Sequence, residues 1–397
     1  MKKKITILGS TGEIGKKCLS IIKKNKKIFE VYALIANENF SLMQKQCEFF
    51  HPKYACMVNE NAAKILKKNL NSDYTVVFSG IKSACCLVAN KKSDIIISAI
   101  SGISGLLPTL SAIKSGRILL LANKEILIFC GKLFFKKIKK YKAKILPIDS
   151  EHSAIFQSIP EKARKKLGFI HLKKYGISKI ILTASGGPCM NIKSKFLKYI
   201  TPEYACTHPN WKMGKKISVD SATMMNKGLE YIEAKLLFNA NDKELEVLIH
   251  PESIVHSMVQ YIDGSILAQL GIPDMEIPIT YALSYPKRIY VPNTELNFTK
   301  IKKLHFSKVS FKKYPCFKLS IEASKSGQTA IIALNAANEI SVQSFLRKEI
   351  NFTDIFRVNK YVLENLSYKN PSSIEESIQI DKLSRNIAYK KIKCITV

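Results

Sequence analysis

Gly9-Ser-Thr-Gly12-Glu-Ile-Gly15 stands between a β-rich run, Lys3-Lys-Ile-Thr-Ile-Leu8, and a helical pattern running from about Ile14 to Ile22. Three glycines between a strand and a helix allow a tight turn and let backbone amides approach a pyrophosphate at the helix N-terminus. Similar apolar runs recur at Val31–Ala36, Tyr74–Phe78, Asp94–Ile100, Arg117–Ala122 and Lys144–Ile148, with helix-length segments between several of them. Strands that alternate with helices and are apolar on both faces predict a parallel, doubly wound, Rossmann-like sheet over the first 150 residues.

Beyond residue 150 the pattern changes. Ile180–Ala184, Leu245–Ile249, Val255–Tyr261 and Ser265–Leu270 read as strands, the last two joined at Ile-Asp-Gly, a hairpin signal. Ala222–Phe238 reads as an amphipathic helix, so this part is expected to be α+β. Residues 286–311 carry Pro286, Pro292 and little periodicity, as a linker would. Helical patterns at about 317–347, 353–366 and 374–391 then predict an all-helical C-terminal domain.

Composition removes several function classes. A chain of 397 residues with 46% hydrophobic side chains can bury a large core, which excludes a disordered or mini-protein class. The richest apolar stretch, Ile95–Leu110, is broken by Ser, Gly and Pro before it reaches the roughly 20 residues of a membrane span. The apolar stretch before Gly9 is too short for a signal peptide core, so a cytoplasmic location is expected. Ten cysteines without Cys-x-x-Cys spacing read as free thiols of a reducing compartment. The net charge of +32 invites a nucleic-acid partner, but only six of the 63 basic residues are Arg, the side chain suited to base readout and bidentate phosphate contacts. No nucleic acid and no membrane are therefore expected as partners. The positive field suits an anionic small substrate instead.

Three further stretches can carry chemistry. Asp149-Ser150-Glu151-His152 follows the strand at 144–148, so it lies where open α/β sheets bind ligands, and paired carboxylates suit Mg²⁺ or Mn²⁺ as well as they suit a solvated acidic turn. In Ser218–Glu233 a helix start with Ser221, Asn226 and Lys227 is a plausible phosphate cradle, and Glu230 lies on the same flank. Thr183-Ala-Ser185-Gly186-Gly187-Pro188 ends a strand and opens a long polar loop through His208-Pro-Asn-Trp211 to Gly214. Such a length marks a lid more often than a plain connection.

The order of these motifs identifies a family. Gly-Ser-Thr-Gly-x-Ile-Gly, Ala122-Asn-Lys-Glu125, Asp149-Ser-Glu-His152, Ala184-Ser-Gly-Gly-Pro188, His208-Pro-Asn-Trp211, Asp220-Ser-Ala-Thr-Met-Met-Asn-Lys-Gly-Leu-Glu230, Ile249-His-Pro-Glu-Ser253, Ala268-Gln-Leu-Gly271 and Ala333-Leu-Asn-Ala-Ala-Asn-Glu339 follow one another as in the 1-deoxy-D-xylulose 5-phosphate reductoisomerases. The chain resembles this family over essentially its whole length.

The resemblance implies a homodimeric enzyme of the non-mevalonate isoprenoid pathway. It would convert 1-deoxy-D-xylulose 5-phosphate, a phosphorylated sugar, to 2-C-methyl-D-erythritol 4-phosphate with NADPH and one divalent cation, Mn²⁺ or Mg²⁺, per active site. It assigns Asp149, Glu151 and Glu230 to the metal and gives Lys124, Glu151 and His208 catalytic roles. Lys124, Ser150, Glu151, Ser185, His208, Trp211, Ser221, Asn226, Lys227 and Glu230 would contact the substrate. Thr11, Gly12, Glu13, Ile14, Asn37, Glu38, Asn39, Asn123, Glu125 and Gly214 fall where the family meets the nucleotide. The implied domains are 1–150 for NADPH, 151–285 for catalysis and dimerisation with a lid at 185–216, a linker at 286–311, and a helical domain at 312–397. A different NAD(P)-dependent reductase of a small phosphorylated substrate would need the glycine turn but not the three carboxylates, so metal dependence separates the two readings.

The chain departs from the family pattern at three places. Asn37-Glu38-Asn39 stands where Gly-Lys-Asn is usual, and an acid there ordinarily favours the free 2′-hydroxyl of NAD. Glu13 replaces a small residue of the glycine turn. Glu276 replaces a frequent Arg, which is expected to alter a local ion pair rather than the chemistry.

Overall fold

The computed structural model describes residues 2–70, 74–207, 214–292, 294–367 and 369–396. The chain divides into two compact units, one built from residues 1–126, 134–153 and 275–294, the other from 127–133, 154–274 and 295–397.

The first unit carries seven parallel strands: β1 (Lys3–Leu8), β2 (Phe29–Ala36), β3 (Tyr54–Met57), β4 (Val76–Ser79), β5 (Ile95–Ser98), β6 (Ile118–Leu121) and β7 (Lys144–Pro147). Their order is β4-β3-β2-β1-β5-β6-β7. The central runs Ile95-Ile-Ile-Ser and Leu119-Leu-Leu are fully buried, the signature of strands covered on both faces. Strand order reverses between β1 and β5, and such switch points open a crevice beyond the carboxyl ends of the strands. The glycine turn sits there. Gly9 has φ of +86°, and a Cβ on it would lie 2.5 Å from the Ala99 carbonyl oxygen just past β5. A Cβ on Gly15 would lie 2.2 Å from the Gly9 oxygen, so both positions exclude any other residue.

The second unit holds a mixed sheet of β8 (Ile177–Ala184), β9 (Leu245–Ile249), β10 (Val255–Tyr261), β11 (Ile266–Leu270) and β12 (Ser307–Lys308), ordered β11-β10-β8-β9-β12. β10 and β11 form the expected antiparallel hairpin, closed by Gly264 at φ +87°. Helices Pro315–Ser326, Gln328–Leu346, Phe352–Asn365 and Ile374–Thr396 pack around Ala333, Leu334, Ala337, Phe345, Ile355, Val358 and Ala388.

Sequence and structure differ at several points, among them the short strand β12 inside the expected 286–311 linker. The helix expected across 317–347 is two helices, because Gly327 at φ +119° breaks it; a Cβ there would meet Asn370 Oδ1 at 2.7 Å. The helix expected from Ala222 begins at Met225, since Met224 at φ +61° ends the preceding Lys215–Ala222 helix. β3, which the pattern did not announce, is four residues long with no β-branched side chain.

Candidate active site

In the first unit, the Glu13–Lys24 helix starts at Gly12 with no side-chain cap, so its first amides are left for a ligand. Gly12 itself is open: a Cβ there would meet nothing closer than 3.4 Å. A phosphate group fits this cradle. Glu13 is exposed and its charge is answered by Lys16 at 2.6 Å. Asn37, Glu38 and Asn39 lie exposed at the end of β2, where Asn39 Oδ1 caps the next helix by accepting from Leu42 N at 3.0 Å. Asn123 is buried beyond β6; its Nδ2 donates to the Ile100 and Gly102 carbonyls, and its Oδ1 has no hydrogen-bond partner among the described residues.

β6 and β7 are neighbours, and the chain past each brings Lys124 and Asp149 together at 2.8 Å, with side chains only 10% and 14% exposed. Burial alone would raise the Asp149 carboxyl, but the Lys124 ammonium, aided by His152, overrides it and holds the group well below the usual carboxylate range. His152 is fully buried, with Nδ1 3.9 Å from Asp149 Oδ1. It lies in the quoted motif, yet only the helical turn at Ser150–Ser158, which puts residues three apart on one face, reveals that it faces Asp149. Ser150 Oγ donates to Glu151 Oε2. Glu125 follows Lys124, half-buried in the first turn of the Lys124–Cys130 helix.

In the second unit, the Met225–Leu237 helix presents Asn226, Lys227 and Glu230 together. Asn226 Nδ2 donates to Glu230 Oε1 and Lys227 Nζ pairs with Glu230 Oε2, the Lys and Glu side chains being 6% and 2% exposed. Gly228 is on the opposite flank, where a Cβ would lie 2.0 Å from Ser320 Oγ, so the absence of a side chain seats this helix on Pro315–Ser326. Ser185 Oγ accepts from Gly187 N at 3.1 Å. Gly186 and Gly187 have positive φ, and a Cβ on Gly187 would lie 2.5 Å from the Ser221 carbonyl oxygen. The Ser185 turn and Ser221 are thereby held in backbone contact, and Tyr314 OH donates to the Gly186 carbonyl at 3.0 Å to fix the turn from behind. Gly214, where the long polar loop ends, has φ of −64° and serves as N-cap of the Lys215–Ala222 helix. His208 and Trp211 lie outside the described residues, as does the rest of 208–213.

The acidic donors are carboxylate oxygens, and Asp149 is held ionised, as a hard divalent cation requires. The residues fit the implied metal, and the uncapped helix start fits the nucleotide.

Comparison with known proteins agrees. Residues 5–131 match the family model described as 1-deoxy-D-xylulose 5-phosphate reductoisomerase, 145–238 its C-terminal domain model, and 270–387 a DXP reductoisomerase C-terminal domain model. The chain is 54% identical over 395 residues to the 1-deoxy-D-xylulose 5-phosphate reductoisomerase of Buchnera aphidicola subsp. Schizaphis graminum, covering 99% of both. It is 52% identical over 393 residues to that of Photorhabdus laumondii, covering 98% of this chain and 99% of the relative. Among solved structures it is similar to a DOX-P reductoisomerase in complex with NADPH, fosmidomycin and magnesium, with TM-score 0.93, 40% identity and 98% of each chain covered. It is also similar to the Zymomonas mobilis enzyme in complex with NADPH, with TM-score 0.90, 38% identity and 99% of each chain covered.

Proposed function

This chain belongs to the 1-deoxy-D-xylulose 5-phosphate reductoisomerase family, and from that premise we propose how its residues divide the work. The enzyme converts 1-deoxy-D-xylulose 5-phosphate to 2-C-methyl-D-erythritol 4-phosphate with NADPH and a divalent cation. When bound, the cation polarises substrate oxygens as a Lewis acid and NADPH supplies the hydride.

The proposed metal ligands are Asp149, Glu151 and Glu230. What carries the assignment is the Asp149 carboxyl, buried yet held ionised beside Lys124. Lys124 and Ser150 then contact the substrate's backbone oxygens. Ser185, Ser221, Asn226 and Lys227 hold the phosphate. A hydroxyl turn, a helix-borne amide and a buried ammonium form the donor set that a phosphate ester needs. His208 and Trp211 close the site from the 185–216 lid, a role that rests on the sequence pattern. Thr11 to Ile14, Asn37 to Asn39, Asn123, Glu125 and Gly214 contact NADPH, the uncapped amides at Gly12 taking the pyrophosphate. The functional division we propose is 1–150 for cofactor, 151–285 for catalysis and dimerisation, 286–311 as linker and 312–397 as helical domain.

A homodimer is supported by β11, an edge strand whose Ile266 and Leu267 are exposed, next to Ile262 in the turn. An apolar sheet edge in water is a pairing site for a second copy. A cytoplasmic location is supported by ten free cysteines. Among the described residues no helix is long and apolar enough to cross a membrane.

The deciding assay follows NADPH and NADH oxidation with 1-deoxy-D-xylulose 5-phosphate, with and without Mn²⁺. Metal-dependent turnover supports the ligand set; full turnover in excess chelator contradicts it.

A further inference from the structure

The Ala333–Glu339 segment helped to identify the family, yet none of it enters the site described above. Its Asn338 is fully buried in the Gln328–Leu346 helix and donates from Nδ2 to Asp220 Oδ1 at 2.7 Å. Asp220 is itself 1% exposed and belongs to the Lys215–Ala222 helix. Its other oxygen pairs with Lys216 Nζ, one turn earlier, at 3.1 Å.

A buried carboxylate is costly unless both oxygens are answered, and here one answer comes from its own helix and the other from the helical bundle. The bundle also occupies the other end of the Asn338 amide. Asn338 Oδ1 accepts from Asn359 Nδ2 at 3.2 Å, and Asn359 Oδ1 accepts from Ser341 Oγ at 3.1 Å. All three side chains are fully buried. Reversing the Asn338 amide would turn its Oδ1 against Asp220 Oδ1, oxygen against oxygen, so the contact to Asp220 sets which end of the amide faces it.

Ser221 follows Asp220, about 100° further round the helix. Its carbonyl is the atom that a Cβ on Gly187 would strike at 2.5 Å, so the helix and the Ser185 turn are in register only at one rotation of the helix. Val219 and Ala222 pack with Ala333 and Ala337 but, being small and apolar, tolerate rotation better than a hydrogen bond does.

We propose that Asn338 is a positioning residue for the phosphate end of the substrate: through Asp220 it sets the rotation of the Lys215–Ala222 helix and thereby places Ser221 against the Ser185 turn. The proposal rests on the reading that Ser185 and Ser221 hold the phosphate.

The test compares Asn338→Ala, Asn338→Asp and Ser221→Ala with the parent enzyme. The readouts are KM for substrate, KM for NADPH, kcat per folded active site, and competitive inhibition by inorganic phosphate. Asn338→Ala is expected to raise substrate KM and the phosphate inhibition constant by about 5- to 20-fold, with NADPH KM unchanged and kcat within about threefold. Asn338→Asp, which sets a second carboxylate against Asp220, should exceed this. Where Asn338→Ala yields no folded protein, Asn359→Leu, which removes the donor behind Asn338 and the acceptor for Ser341 Oγ but leaves the contact to Asp220, should show the same split at lower amplitude. A folded Asn338 variant with unchanged substrate KM, or with both KM values and kcat altered alike, overturns the proposal. If Ser221→Ala leaves substrate KM and phosphate inhibition untouched, the phosphate reading fails instead.

Discussion

Each unit buries a lysine against a carboxylate, and the two pairs are built differently. Lys124 and Asp149 lie 25 residues apart and meet only because β6 and β7 are neighbours in the sheet. Lys227 and Glu230 are three residues apart on one helix and meet whenever that helix forms. The first pair reports tertiary structure, the second local structure. The helical pair is also the more deeply buried, so its charges depend more on each other.

The largest effect expected from breaking this arrangement is catalytic. Asp149→Asn keeps the shape and removes a ligand charge, so turnover should fall on the order of 10³-fold or more while NADPH still binds. Steady-state rates beside a cofactor titration check this, and near-parental turnover at limiting metal would remove Asp149 from the ligand set.

Stability separates the two pairs. Lys227→Met strands the Glu230 charge at 2% exposure, which costs about 3–5 kcal/mol by the usual penalty for halving a buried pair. Lys124→Met, at a more exposed pair, should cost less. Thermal melts of both variants without metal test the order, and a larger loss for Lys124→Met would show that the sheet-borne pair is the more dependent one.

The next effect concerns pH. His256 is buried, and desolvation, opposed by backbone hydrogen bonds and helped by Lys227, pushes it from 6.5 down to about 4. The unfolded chain therefore takes up a proton between those values when the folded chain does not. The stability linked to His256 is complete above about pH 6.5 and is lost as pH falls toward 4, a loss of order 1–3 kcal/mol. His256→Asn should flatten melting temperature against pH over that window, and an unchanged slope would assign it to other groups.

The smallest effect is on cofactor choice. Glu38 is exposed at the end of β2, so Glu38→Lys is expected to favour NADPH over NADH by a further factor of about 3 to 10. Unchanged selectivity would mean that Glu38 does not face the ribose.

The same contrast explains how much of the molecule the sequence discloses. β1, its glycine turn and the helix behind it are legible because strand period, turn residues and helix period follow one another within 22 residues. The Asn226–Lys227–Glu230 cluster is legible for the same local reason. Tyr54–Met57 is not, because four residues carry no period, and β12 is not, because Ser307 and Lys308 become a strand only by pairing with β9. The link from Asn338 to Asp220 spans 118 residues and leaves no trace in either segment. His152 belongs to the Asp149–His152 motif, but its reason emerges only when the fold turns it toward Asp149.

The ligand set proposed above gives a single divalent cation to Asp149, Glu151 and Glu230. Titrating Mn²⁺ into the parent protein, Asp149→Asn and Glu230→Gln, with free ion followed by electron paramagnetic resonance, tests it without reference to activity. One tight Mn²⁺ per chain is expected in the parent, with weakening by about 10- to 100-fold in each variant alike. Glu230→Gln binding Mn²⁺ as tightly as the parent would contradict it.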